Sequence, residues 1–150
     1  MRSKAAAAMD WELLAATSHF QTAVAIREKL QQQGYGEAMH GLQELIDALC
    51  RADKRALETH LIRVMQHVIQ WKMQPERRSR SWMRTIRNGR KEIRKLQQDS
   101  PILTNQLIRE QLWDDCLDSA IGEAEGDMDC DVPPLPLTWQ EVFEDEYRLA

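Results

Sequence analysis

Apolar residues recur along most of this chain at helical spacing, and no alternating strand pattern is present. Asp10 is a candidate N-cap with Glu12 in the first turn, and a helix is predicted from Trp11 to Gln33. Leu13, Phe20 and Val24 form its stripe, with Leu14, Ala25 and Leu30 beside it, and Gly34-Tyr35-Gly36 ends it. From Glu37 to Gln74 there is no proline and only Gly41. Here Leu42, Leu45, Ile46 and Leu49 make one apolar face, a break is predicted near Ala52-Asp53, and Leu57, Leu61, Val64, Val68 and Trp71 follow at intervals of four, three, four and three. Pro75 stops that helix. Ser79 or Ser81 can cap the next, whose stripe of Trp82, Ile86, Gly89, Ile93 and Leu96 has the same rhythm, with Gly89 predicted to mark a close helix crossing. Ser100 as N-cap and Pro101 at the first helical position open a further helix, with Leu103, Leu107, Leu112, Cys116, Leu117 and Ile121 facing inward and Gly122 and Gly126 letting it fray. Residues 127–137 read as an acidic, then proline-containing loop. Thr138 and Glu141 form a capping box for a short last helix that buries Trp139, Val142, Phe143 and Tyr147.

The pattern predicts an all-α protein, a compact bundle of five to six helices with no sheet. Residues 1–9 are expected to be a disordered tail and residues 10–150 a single helical domain. The five tryptophans, at 11, 71, 82, 113 and 139, are spread over the predicted helices, which suits a shared core rather than an aromatic binding face.

Composition adds exclusions. Hydrophobic residues are 43% and charged residues 29%, inside the globular range. No segment reaches the roughly 18 apolar residues of a membrane span, and Ala5–Ala8 is too short for a secretory core, so no membrane association and a cytoplasmic location are expected. Three cysteines, at 50, 116 and 130, without a CxxC pair, read as free thiols.

Charge changes the picture more. The net charge of −4 hides three blocks: residues 1–71 are neutral, residues 72–95 carry ten basic against two acidic side chains, and residues 96–150 carry fourteen acidic against two basic. Either the last two blocks face and neutralise each other, or the basic one presents a face to an anionic partner.

The most unusual stretch runs from His67 through Trp71 and Gln74-Pro75-Glu76-Arg77-Arg78-Ser79-Arg80-Ser81-Trp82. His67 and Trp71 lie one helical turn apart, so imidazole and indole can meet. Glu76 sits among arginines whose forks bind carboxylates or phosphates at two points. Glu76, Arg77, Arg78, Arg80 and His67 are therefore candidates for an anion site at a helix N-terminus, or for a latch to a carboxylate such as Glu58, Glu110, Asp114 or Asp118. The structural core is expected at Trp71, Trp82, Ile86, Leu57, Leu61, Val64 and Val68. His60 and His67 are too far apart for a chelating pair, and Glu37/His40 is the one Glu-x-x-His spacing. Asp127, Asp129 and Asp131 alternate like the start of a calcium loop but lack its glycine and terminal glutamate, so they read as a solvated loop. No metal, cofactor or catalytic constellation is expected.

The run from Asp53 to Pro101 resembles the central signature of domain of unknown function family 29, abundant in cyanobacteria. The residues that carry the resemblance are Lys54-Arg55-Ala56-Leu57, His67, Trp71, Gln74 to Trp82, Ile86 and Asp99-Ser100-Pro101. Asp10–Leu30, Leu42–Leu49 and Thr138–Phe143 are similar more weakly, and Ala52-Asp53 departs from the family's Ser-Glu. The resemblance implies a small all-helical domain and no activity. Together these readings favour a non-enzymatic interaction or regulatory module, self-associating or bound to a protein partner. The alternative is a nucleic-acid binder using the basic helix 77–95, held off by the acidic C-terminal third and released by truncation near Gly126. An enzyme on an anionic substrate is the outsider.

Overall fold

The computed structural model describes residues 8–150, so most of the expected N-terminal tail lies outside the described residues. Among the described residues every regular element is helical. The chain divides into two compact units, Met1–Ala52 and Asp53–Ala150. The boundary coincides with the predicted helix break, yet no break exists there: α3 runs from Tyr35 to Met73 without interruption. With neither proline nor glycine between Gly41 and Pro75, nothing in the backbone opposes the run.

In the first unit, the helix predicted over 11–33 is two helices, α1 (Trp11–Thr17) and α2 (His19–Gln31). Asp10 caps the first by accepting the Leu13 N–H at 3.0 Å. Ser18 divides them. Its backbone is extended (φ −155°), and its hydroxyl accepts the Gln21 N–H at 3.1 Å, so a residue able to cap starts a new helix instead of continuing the old one. The break changes which residues point inward. Trp11, Ala15, Thr22, Ala25 and Ile26 are buried, while Leu13 and Phe20 are exposed and Val24 only half-buried, contrary to the predicted stripe. Gln33, in the left-handed region at φ 62°, turns the chain into α3, which includes Tyr35 and Gly36. Gly41 supports Trp11: a Cβ there would lie 2.6 Å from two indole ring carbons. The indole N–H donates to Glu37 Oε2 at 2.8 Å.

The second unit is a helical bundle around Leu57, Leu61, Val64, Met65, Val68 and Ile69 of α3. A 3-10 turn, Pro75–Arg77, leads into α4 (Arg80–Asp99), capped by the Ser79 hydroxyl accepting the Trp82 N–H. α4 packs Ile86, Gly89 and Ile93 inward. A Cβ at Gly89 would lie 2.4 Å from Val64 Cγ2, so the two helices approach more closely than any other residue would allow. Trp82, expected in the core, is only half-buried. Ser100 closes α4 rather than opening the next helix, and Thr104 is the cap of α5 (Asn105–Leu107). A π-helical turn, Ile108–Leu112, continues into α6 (Trp113–Met128). Gly122 and Gly126 do not fray it; α6 extends to Met128, and Asp129 ends it in the left-handed region. After the proline-containing segment the predicted capping box is formed, with Thr138 and Glu141 opening α7 (Trp139–Phe143). The tryptophans are not gathered into one core, although Trp113 and Trp139 stack against the second unit's cluster. Trp11 belongs to the first unit's cluster, Trp71 is buried in the second, and Trp82, Trp113 and Trp139 are half-buried.

Candidate functional site

The corner between α3 and α4 gathers the residues singled out above, but its contacts differ from those expected. Arg78 makes no two-point contact with a carboxylate. Its Nε donates to the Trp71 carbonyl at 2.8 Å, and its guanidinium lies 4.9 Å from the Trp71 ring centroid. It thus closes the C-terminus of α3, where helix carbonyls lack intrahelical donors and a cation is favoured. Glu76, Arg77 and Arg80 are exposed and, among the described residues, form no ion pair. His67 meets the edge of Trp82 rather than Trp71, at 6.5 Å between centroids, and its Nδ1 lies 2.9 Å from the Arg63 carbonyl, an arrangement in which Nδ1–H donates. Burial pulls the imidazole below its ordinary value, and the Arg63 cation adds to this against the carbonyl contact and the Asp127 charge.

A latch of another kind, to backbone carbonyls and not to a carboxylate, is made by Arg90. Its Nε donates to the Val142 carbonyl at 2.8 Å, Nη1 to that of Asp145 at 2.7 Å and Nη2 to that of Glu141 at 3.1 Å. One guanidinium therefore gathers the end of α7 and the segment beyond it. Tyr147 lies outside the last helix and completes the lock: its hydroxyl donates to the Glu141 carbonyl at 2.6 Å, and its ring meets Trp71 edge-on at 5.5 Å. Burial pushes the phenol up to about 12, more than the Arg90 cation lowers it, so it stays a donor. The signal missed in the sequence was position: Arg90 follows Gly89 on the inner edge of the stripe.

A single ion pair, Lys72–Glu141 at 2.6 Å, joins the basic and acidic blocks among the described residues. Beyond this pair the two blocks meet without ion pairs among the described residues, as where Glu144 and Glu146 share a groove with Arg87 and Arg94. At Glu141 burial alone would raise the carboxyl, but the Lys72 ammonium and the Thr138 N–H and hydroxyl outweigh it and hold the group below its usual range. Stability from such a carboxylate is complete above its unfolded value of about 4.3 and is lost as the pH falls through the lower folded value. We expect acidification below about pH 4 to weaken amide protection at Val142 and Glu144, with Glu141→Gln already weak at pH 6. Identical acid profiles for wild type and Glu141→Gln would show that the pair does not hold the segment.

Asp127, though exposed, is not a loop residue. It lies within α6 and accepts from Gln66 Nε2 at 2.6 Å and Gln70 Nε2 at 3.1 Å, and both glutamines are buried. Cys50 is half-buried, Cys130 is exposed, and Cys116 is buried among apolar neighbours that push its thiol up to about 11. Among the described residues no group of three or more His, Cys, Asp and Glu side chains is placed to hold a metal. No described helix is long and apolar enough to cross a membrane.

Two surfaces remain that the structure leaves open. On the first half of α3, Tyr35, Met39, Leu42, Ile46 and Leu49 are exposed by 61%, 64%, 40%, 44% and 42%, so most of the apolar face read at Leu42, Leu45, Ile46 and Leu49 lies open. On α4, Arg80, Arg84, Arg87, Lys91, Arg94 and Lys95 all face solvent.

This is an all-helical protein in which Arg78 closes the end of α3 and Arg90 holds the C-terminal segment, both through backbone carbonyls. Over residues 21–148 the chain matches the family described as Domain of unknown function DUF29, and it belongs to that family. No curated protein and no solved structure matches it.

Proposed function

We propose that this chain is a protein-interaction module that self-associates through the first half of α3. The observation that carries the reading is the exposed stripe at Tyr35, Met39, Leu42, Ile46 and Leu49, which repeats at intervals of four, three, four and three like a coiled-coil seam. At about 100° per residue, this stripe lies beside the inward row of Ala38, Gly41, Leu45 and Ala48. The two rows make one apolar arc of about 180°, and α1 and α2 cover only the inward half. Among the described residues of the unit the buried hydrophobic cluster is Trp11, Ala25, Ile26 and Ala38, with Leu14 and Leu45 packed against it, a small core. An uncovered apolar arc on so thin a core gains from a second apolar surface.

Charge favours a second copy as that surface. Gly36, Gln43 and Cys50, on the outer flank of the stripe, carry no charge, so a charged partner finds no complement there. Residues 1–52 carry five basic against six acidic side chains, so two copies meet with little net repulsion. The test is sedimentation equilibrium of the whole chain. A mass of twice 17.5 kDa is expected at micromolar concentrations. Ile46→Glu, at an exposed position that leaves the helix intact, is expected to raise the dissociation constant at least a hundredfold, about 3 kcal/mol. A monomer at 100 µM, or a dimer indifferent to Ile46→Glu, would sink the reading.

A further inference from the structure

The cations of α4 are not scattered around the helix. At about 100° per residue, Arg94, Arg87, Arg80, Lys91, Arg84 and Lys95 fall in that order within one arc of about 100°, while Ile86, Gly89 and Ile93 point the opposite way into the core. No acidic residue shares the arc: Glu92 and Asp99 lie outside it. The ridge is about 22 Å long, at 1.5 Å per residue. Among the described residues only Lys95 has an ion-pair partner, Glu92 at 3.8 Å, and both of those side chains are exposed. A row of like charges this dense costs self-repulsion unless an anion meets it.

The acidic C-terminal segment reaches only one edge of this row and forms no ion pair with its cations among the described residues. That segment is held by Arg90, which sits on the border between the buried face and the cationic arc and binds carbonyl oxygens rather than carboxylates. The fold therefore uses backbone dipoles to dock α7 and leaves the neighbouring guanidinium groups unpaired. Carboxylates approach the arc at one edge, where Arg87 and Arg94 share a groove of about 320 Å³ with Glu144, Glu146 and Arg148, and there Glu146 is paired to Arg148.

We infer that the solvent face of α4 binds the phosphodiester backbone of duplex nucleic acid, without base readout, in the intact chain. A straight ridge of one charge sign suits a regular linear polyanion. Duplex is favoured over single strand because the arc carries no aromatic residue on which bases could stack, and Trp82 is half-buried with its edge against His67. A bilayer surface is disfavoured because the apolar face of α4 is committed to the core, with Gly89 against Val64, and cannot enter the headgroup region. The intact chain needs no truncation to bind, since the docked C-terminal segment borders only the Arg87–Arg94 edge and leaves Arg80, Arg84, Lys91 and Lys95 facing solvent. This site lies in the second unit and does not depend on the self-association proposed above.

The test is fluorescence anisotropy of the full-length chain with a labelled mixed-sequence 20-base-pair DNA. Four to six phosphate contacts give a log–log salt slope of about −4 to −5, so affinity is expected to fall several hundredfold between 50 and 200 mM salt. Two unrelated sequences should bind within about threefold of each other. Combining Arg84→Gln, Arg87→Gln and Lys91→Gln is expected to cut the slope by nearly 3 units and weaken binding at least a hundredfold at 50 mM salt. Lys91→Glu alone, an exposed change with little bearing on folding, should weaken it about tenfold. Arg27→Gln with Lys29→Gln, on α2, should leave it unchanged. No binding at 20 mM salt overturns the inference. So does an unchanged slope in the triple variant while Lys91→Glu also binds normally, or tighter binding to phosphatidylserine–phosphatidylcholine vesicles than to duplex.

Discussion

Trp71→Ala is expected to destabilise the second unit by about 3–5 kcal/mol, a large share of the total that a domain of this size has in hand. Trp71 is the last large buried residue of the α3 stripe, and two side chains from other parts of the unit, Arg78 and Tyr147, converge on it. The Arg78 guanidinium covers one side of its ring, the Tyr147 ring meets it edge-on, and the Trp71 carbonyl accepts from Arg78. Truncation removes the ring but keeps that carbonyl, so the loss is packing, aromatic contact and a cation–π interaction rather than the hydrogen bond. Urea denaturation followed by circular dichroism reads the effect as a drop in midpoint at unchanged slope. Trp82→Ala, at a half-buried position, is expected to cost clearly less. If the two variants unfold at the same midpoint, the burial of Trp71 does not set the stability of the corner.

How far the chain could be read without its structure follows from which forces are local. The stripe Leu57, Leu61, Val64, Val68 and Trp71 is buried as its period demands, because a long amphipathic helix has one way to hide that face. The Thr138–Glu141 box is local chemistry and formed where expected. The misreadings share a cause. Ser18 and Thr104 won as helix caps over the continuation of a periodic pattern, and nothing in hydrophobic spacing registers a hydroxyl's preference for an N-terminus. The face at Leu42, Ile46 and Leu49 looks the same in sequence whether or not a neighbour covers it; burial is a property of the partner element, not of the residue. Arginine proved the hardest to place. Its charge suggests a carboxylate, yet Arg78 and Arg90 both bind carbonyl oxygens, and only tertiary geometry decides which acceptor lies within reach.

That geometry makes Arg90 the residue on which the C-terminal segment depends. Replacing it with methionine keeps most of the side-chain volume and removes all three donors. The carbonyls of Val142 and Asp145 then lose their side-chain donor, that of Glu141 keeps only the Tyr147 hydroxyl, and hydrogen bonds to a charged donor contribute about 1.5–3 kcal/mol each when isolated. Because Arg90 is partly exposed and water can replace some of these bonds, a total of about 2–4 kcal/mol is expected rather than the sum. The loss should be regional. The Lys72–Glu141 pair and the Tyr147 hydroxyl would remain as the segment's polar ties, so residues 138–147 are expected to exchange amide hydrogens and to be cut by protease well before the α3–α4 crossing opens. Arg90→Lys separates fork geometry from charge. An ammonium cannot reach three carbonyls in the arrangement a guanidinium does, so lysine should recover less than half of the loss. Full recovery by lysine would show that the positive end alone, acting on the terminal carbonyls of α7, holds the segment in place.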